Sequence, residues 1–172
     1  MKTKRLSFSI GLFLLGLSHI VIAQQPAFDF SEIADDHEVA ILAGGCFWCM
    51  EPPYDKMDGI IETISGYTGG TVANPSYRQV VRGGTGHYEA ILLVYDPDVV
   101  SYDEILETFW FNVDPLDAGG QFCDRGESYL TGIFYVDDSQ RRIARESKRS
   151  LDASERLRRP VVTEIIAAGP FY

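Results

Sequence analysis

The sequence predicts a single α+β domain in which one mixed sheet and its helices form two layers. Apolar runs of strand length alternate along the chain with segments of helical periodicity. The chain has 172 residues, the length of one ordinary domain, and 45% of them are hydrophobic. The sequence contains no internal repeat and no linker that would divide it into two domains.

Residues 1–23 have the pattern of a secretory signal peptide. Lys2, Lys4 and Arg5 precede an apolar run at 10–17, and small or β-branched residues follow where a signal peptidase cleaves. The apolar run is short for a transmembrane helix, which needs about 20 residues, so an uncleaved anchor is the alternative. We expect an exported protein, periplasmic or secreted, in a compartment that permits disulfides.

The folded domain is predicted over 38–172, after a charged, surface-lying lead-in at 24–37. Its first strand is the continuous apolar run at 39–43, which two glycines end, and a helix at 46–56 follows. Periodicity and turn residues then predict strands at 60–67, 87–95, 130–136 and 161–166, helices at 76–82, from 101 onward and at 138–157, and a loop at 114–128.

Two of these helices have distinct surfaces. Ser101 to Glu104 form a capping box that begins the first of them. One face of this helix is apolar and is predicted to be buried; it carries Tyr102, Ile105, Leu106, Phe109 and Trp110. The helix at 138–157 holds many Lys and Arg residues, so we expect a solvated surface helix that Pro160 stops.

Net charge and cysteine content restrict the function. The chain has 15 Lys and Arg against 25 Asp and Glu, a formal net charge of −10, which argues against a nucleic-acid partner. Three cysteines are too few for a disulfide scaffold. The cysteines therefore indicate chemistry rather than cross-linking.

Cys46 and Cys49 lie three residues apart at a strand-to-helix transition. Unpaired amides and the helix dipole at such a position stabilise a thiolate, so we expect a Cys46 pKa below the usual value of about 8.5. Both cysteines could instead be core residues or half of a zinc site. A zinc site needs further ligands, and only Cys123 and three histidines without close spacing remain.

At this point the sequence resembles the class A methionine sulfoxide reductases, the peptide-methionine (S)-S-oxide reductases. The family signature is matched by residues 44–48, Gly-Gly-Cys-Phe-Trp. The resemblance continues through 66–70, 74–78, 86–90, 95–97, the Phe109-Trp110 pair, and Asp124 with Tyr129. It implies a ferredoxin-like core and thiol-dependent reduction of methionine (S)-sulfoxide, in proteins and as the free amino acid, without a metal or organic cofactor. We expect the protein to be a monomer.

The chemistry of this reaction assigns two further roles. Reducing a sulfoxide requires a nucleophile on sulfur and an acid on oxygen, because oxide leaves only when protonated. Cys46 and Glu89 supply that pair, and burial of Glu89 in its apolar strand would raise its pKa. The resemblance further implies that Tyr77 and Tyr129 donate hydrogen bonds to the sulfoxide oxygen and that Asp124 organises the site with water.

Phe47 and Trp48 are interpreted as an apolar, polarisable wall for the substrate methyl group, although each could simply be a core residue. The family assigns no catalytic role to His87, which we interpret as structural.

Attack leaves Cys46 as a sulfenic acid that a second thiol captures as a disulfide. Cys49, often Gly in the family, has the spacing of a C-x-x-C pair, and Cys123, often Asn, lies beside Asp124. We favour Cys49, with Cys123 available for a second exchange, and expect a thioredoxin or thioredoxin-like periplasmic protein as electron donor. The family usually continues beyond Tyr172, so a natural short form and a fragment both remain open.

Two other classes of function are considered. A thioredoxin-like dithiol oxidoreductase also has C-x-x-C at a helix start, but disulfide exchange leaves Glu89, Tyr77 and Asp124 without a role. A non-catalytic acidic binding module would not need the cysteine pair.

Overall fold

The computed structural model of the protein describes residues 27–154 and 156–172. The predicted signal peptide at 1–23 lies outside the described residues. None of the helices that the structure describes has the length and apolarity needed to cross a membrane.

Seven strands and four α-helices form within the described residues. In chain order these are β1 Glu38–Gly44, α1 Phe47–Tyr54, β2 Ile60–Thr68, α2 Tyr77–Arg82, β3 Tyr88–Tyr95, α3 Tyr102–Asn112, β4 Gly120–Gln121, β5 Asp124–Arg125, β6 Thr131–Tyr135, α4 Asp138–Asp152 and β7 Glu164–Ala167.

Five strands form the main sheet in the order β2-β3-β1-β6-β7, and β4 pairs with β5 in a separate small hairpin. Neighbours in the main sheet are antiparallel except for β6 and β7, which are parallel and joined through α4. The first four strands have the order of a ferredoxin-like core, and the predicted α+β class with a mixed sheet is confirmed.

After the exposed Glu38, strand β1 is apolar because both of its faces are buried. Ala40 and Leu42 pack in the cluster under the helices, whereas Val39 and Ile41 pack in a second cluster on the opposite face. Phe28 and Phe171 from the two ends of the described chain pack in that second cluster, and the Phe28 N–H donates to the Phe171 carbonyl at 2.7 Å. The expected surface lead-in therefore covers one face of the sheet.

The capping box of α3 forms as predicted. The Glu104 carboxylate accepts the Ser101 N–H at 2.8 Å, and the Ser101 hydroxyl accepts the Glu104 N–H at 3.3 Å. The predicted apolar face is buried except for Trp110, which is half-buried and donates its ring N–H to Ser147 Oγ at 2.6 Å. Trp110 thus joins α3 to α4.

Three predicted segments differ from the structure. Helix α4 ends at Asp152 rather than at residue 157, because the Ser154 hydroxyl donates to the Leu151 carbonyl and competes with further helical turns. The predicted loop at 114–128 contains the β4–β5 hairpin. The last strand begins at Glu164, since the preceding Val162 N–H bonds to the Pro115 carbonyl rather than to the sheet.

Candidate active site

A tight glycine turn between β1 and α1 presents Cys46. A Cβ atom at Gly44 would overlap the Met50 sulfur, and one at Gly45 would lie 2.6 Å from Gln121 Cβ. Gly45 also has a left-handed φ of 88°. Only glycines satisfy both requirements, which explains the Gly-Gly pair before the cysteine.

Cys46 is the N-cap of α1 and is half-buried. Burial raises the pKa of its thiol, while the nearby backbone N–H groups of Trp48 and Cys49 oppose this effect without cancelling it. The prediction of a lowered pKa is therefore wrong in direction. The helix start does supply the expected N–H groups, but desolvation outweighs them.

Glu89 lies in β3 with 1% of its surface exposed. The Phe47 N–H donates to its Oε2 at 3.3 Å, and Oε1 has no hydrogen-bond partner among the described residues. Burial raises the pKa of this carboxyl, the Phe47 N–H lowers it, and the charge of Asp124 raises it further. The expected inward-facing glutamate with a raised pKa is confirmed.

Two tyrosines, Tyr67 and Tyr129, lie near this carboxyl, and Tyr77 lies near both of them. Tyr67 on β2 is paired with Glu89 in the sheet register. Burial, followed by the charge of Glu89 and the neighbouring Tyr77 and Tyr129, raises the pKa of Tyr67 to about 12. Burial also raises the pKa of Tyr129, and Glu89, Tyr77 and Asp124 add to that effect. The hydroxyls of Tyr67 and Tyr129 therefore lie near the acid, and Tyr77 lies near both of these tyrosines.

The two predicted wall residues have different environments. Phe47 is buried in the core cluster, where its ring centroid lies 5.9 Å from that of Tyr67. Trp48 is 64% exposed, and its ring lies 5.5 Å from that of Phe47. Trp48 therefore offers an accessible aromatic surface beside Cys46, and the buried ring of Phe47 packs against it.

The family described as peptide methionine sulfoxide reductase matches residues 38–172 of this sequence. The chain belongs to this family. The Bacillus licheniformis protein named Peptide methionine sulfoxide reductase MsrA is 51% identical over 140 residues, which cover 81% of this chain and 77% of the relative.

Solved structures share the fold of this chain. Reduced Mxr1 from Saccharomyces cerevisiae has a TM-score of 0.74 at 26% identity, and the likeness covers 82% of each chain. Mxr1 solved in complex with Trx2 has a TM-score of 0.58 at 19% identity, covering 82% of this chain and 84% of that one. The second likeness concerns the fold alone.

The reductase fold brings together five residues that the sequence singled out: Cys46, Glu89, Tyr77, Asp124 and Tyr129. Sequence reasoning missed one residue of this cluster, Tyr67. It lies in a motif that carried the family resemblance, but only the pairing of β2 with β3 places it opposite Glu89.

All three cysteines of this reductase chain are free and lie in the described part of the structure. Cys49 is exposed in the first turn of α1, where its N–H donates to the Cys46 carbonyl at 2.9 Å. Cys123 is exposed in the turn of the β4–β5 hairpin, next to Phe122 with a left-handed φ of 51°. Of the two, Cys49 is the one on the same helical turn as Cys46.

Other polar features lie apart from the reductase cluster. His87 is buried and binds the backbone around residues 70–72: its Nδ1 accepts the Gly70 N–H at 3.3 Å, and its Nε2 lies 2.7 Å from the Val72 carbonyl.

A cavity of about 710 Å³ lies along α4 and β7 among long cationic side chains, without a thiol or a buried acid. Within 27–154 and 156–172, no group of three or more His, Cys, Asp or Glu residues could hold a metal ion.

Proposed function

We propose that this chain reduces methionine sulfoxide to methionine with thiols as the source of electrons, as its family name implies. One observation carries the proposal: the half-buried Cys46 and the buried Glu89 lie together at the start of α1. The N–H of Phe47, the residue after Cys46, donates to the Glu89 carboxylate. A nucleophile and an acid at one position are what sulfoxide reduction requires.

In the reaction, the Cys46 sulfur attacks the sulfoxide sulfur while Glu89 donates a proton to the sulfoxide oxygen. The S–O bond of the substrate breaks, the oxygen passes to Cys46 as a sulfenic acid, and methionine is released. Glu89 is suited to this role because burial keeps its proton on at a pH where an exposed glutamate has lost it. The family resemblance further implies selectivity for the S epimer at sulfur.

Tyr77 and Tyr129 donate hydrogen bonds to the sulfoxide oxygen in this proposal, and Asp124 organises the site with water. The raised pKa of Tyr129 keeps its hydroxyl a donor. Trp48 and Phe47 form the apolar wall for the substrate methyl group. The 64% exposure of Trp48 leaves its ring accessible to a methionine sulfoxide on a protein surface.

Recycling begins when Cys49 attacks the Cys46 sulfenic acid, which forms a disulfide and releases water. Their place on one helical turn supports this order, and Cys123 can accept the disulfide in a second exchange. A thioredoxin-like dithiol then reduces this disulfide to two thiols, and the two thiols of the donor are oxidised to a disulfide. Exposure of Cys49 supports such a donor, and the related Mxr1 has been solved in complex with Trx2.

A thioredoxin-like dithiol oxidoreductase is the second candidate, and the site does not favour it. Disulfide exchange needs no buried acid with a raised pKa and no cluster of tyrosine hydroxyls around it. Both features are present and both fit oxygen transfer.

The N-terminal pattern supports export to the periplasm or the medium, and we propose that the chain is a monomer. Mass analysis of the protein from separated cell fractions tests the site of cleavage and the location, and light scattering of the purified chain tests the oligomeric state. An intact N-terminus in the cytoplasmic fraction would contradict export.

The function is tested by supplying methionine (S)-sulfoxide and a small dithiol and measuring methionine. Wild type should turn over, the R epimer should react far more slowly, and Cys46→Ser should be inactive because a serine hydroxyl is not ionised near neutral pH. Cys123→Ser is the matched control, since a small dithiol can reduce the Cys46 sulfenic acid directly. Turnover by Cys46→Ser would disprove the mechanism.

A further inference from the structure

Glu127 joins two loops that carry different parts of the reductase cluster. It begins the short 3-10 turn Glu127–Tyr129, so it lies two residues before Tyr129. Its Oε1 accepts hydrogen bonds from the backbone N–H groups of Gly84 and Gly86, the second at 3.5 Å. Gly84 and Gly86 belong to the loop that connects α2 to β3.

The backbone of that loop is shaped to receive an anion. Gly83, Gly84 and Gly86 all have left-handed φ values, between 71° and 84°. Glycine adopts such φ values without steric cost, which lets the loop turn the N–H groups of Gly84 and Gly86 toward one acceptor. That acceptor is the Glu127 carboxylate, whose Oε1 lies 3.6 Å from where a Cβ of Gly83 would be.

The two joined segments hold the groups that must meet at the sulfoxide oxygen. The α2–β3 loop begins after the helix that starts with Tyr77 and ends one residue before the strand that carries Glu89. Within the described residues, Glu127 makes the side-chain hydrogen bonds between this loop and the turn that carries Tyr129. Loss of those bonds would free the turn and the loop to move relative to each other.

We propose that Glu127 is a positioning residue of the reductase: by binding the Gly84 and Gly86 amides, its carboxylate fixes Tyr129 relative to Glu89 and Tyr77. This inference rests on the proposed function. It concerns a residue outside the predicted catalytic set, and Glu127 reaches the substrate only through Tyr129.

The test compares Glu127→Ala with Glu127→Gln in the methionine sulfoxide assay. Alanine removes the acceptor, so we expect kcat/KM to fall about tenfold, because small displacements of positioned groups strongly reduce rates. Glutamine keeps an acceptor oxygen of the same reach and should retain activity within about twofold of wild type. Glu107→Ala is the control for loss of an exposed glutamate, and its activity should equal that of wild type.

The pH profile separates positioning from partial unfolding. A loosened turn admits water to Glu89 and lowers its pKa, so one limb of the kcat/KM profile of Glu127→Ala should move to lower pH. A smaller folded fraction would lower kcat/KM by the same factor at every pH and would leave the limbs of the profile at the same pH. Gly84→Ala, which strains the same loop at a φ of 82°, should be non-additive with Glu127→Ala.

Three results would overturn the inference: full activity of Glu127→Ala, an unshifted pH profile, or additivity with Gly84→Ala. Failure of the proposed function is distinguishable, because wild type itself would then leave methionine sulfoxide unreduced.

Discussion

The backbone N–H of Phe47 donates to Oε2 of Glu89 at 3.3 Å, which joins the buried acid on β3 to the residue that follows Cys46. The strand and the helix start are therefore joined by a direct hydrogen bond. This contact keeps the acid beside the nucleophile, and burial raises the pKa of both groups. The active form needs a proton on Glu89 and none on Cys46, so it exists over a limited pH range.

Glu89→Gln keeps the shape of the side chain but cannot deliver a proton. We expect kcat to fall by about 10²-fold or more, with KM changed much less. The wild-type profile of kcat/KM against pH should be bell-shaped, and the variant should lose the descending alkaline limb because only the Cys46 ionisation remains. Steady-state kinetics over the pH range checks both results. A descending limb that persists in the variant would exclude Glu89 as the acid.

The raised pKa of Glu89 also makes stability depend on pH. The folded pKa lies above the unfolded one, so the protonated acid contributes stability below the ordinary glutamate pKa of about 4.3, and this contribution is lost as pH rises through the folded pKa. The Tm of wild type relative to Glu89→Gln should therefore decline with rising pH over that window. Thermal unfolding at a series of pH values measures the difference, and parallel curves would show that the Glu89 pKa is not raised.

The order of recycling is tested with single cysteine variants and two reductants. We expect Cys49→Ser to lose most thioredoxin-linked turnover and to keep turnover with a small dithiol, because Cys49 shares a helical turn with Cys46. Cys123→Ser should retain the first disulfide, which peptide mapping detects. A Cys49→Ser variant with full thioredoxin-linked turnover, together with loss in Cys123→Ser, would reverse the order.

Tyr67→Phe removes one hydroxyl and leaves the ring packed against Phe47. With its pKa raised to about 12, Tyr67 remains a hydrogen-bond donor, so we expect kcat/KM to fall by about tenfold or more. Tyr88→Phe is the matched control, since it loses a hydrogen bond to Glu164 on the other face of the sheet. Equal activity of the two variants would show that the Tyr67 hydroxyl has no part in the reaction.

Gly45→Ala should lower both stability and activity. The new methyl group would lie 2.6 Å from Gln121 Cβ at a left-handed φ of 88°. We expect a loss of about 1–3 kcal/mol in the free energy of unfolding and a displaced Cys46. Gly169→Ala is the control, because a Cβ there meets no atom within 4 Å. Denaturant unfolding of both variants measures the difference, and equal stability would contradict the steric argument.

The sequence by itself determined the fold class, the main strands and helices and the chemical types at the site, but not the β4–β5 hairpin or the end of α4. Strand β1 and the capping box of α3 follow from local rules, since period, capping and turn residues act over a few positions. The apolar run of β3 alone would favour a solvent-facing Glu89, and it was the family motif around this residue that indicated an inward-facing acid. The family resemblance implied the strand order, which no local pattern specifies.

Only the tertiary structure decided which groups meet and how they are charged. Tyr67 became part of the cluster because the β2–β3 register pairs it with Glu89, and register depends on long-range contacts. Whether the Cys46 pKa is raised or lowered depends on two opposing effects. The N–H groups at the helix start lower it and can be expected from the sequence, whereas burial by residues distant in the sequence raises it and is visible only in the structure. The hydrogen bond from the Gly84 N–H to Glu127 joins residues 43 positions apart, and no local sequence pattern in either loop predicts it.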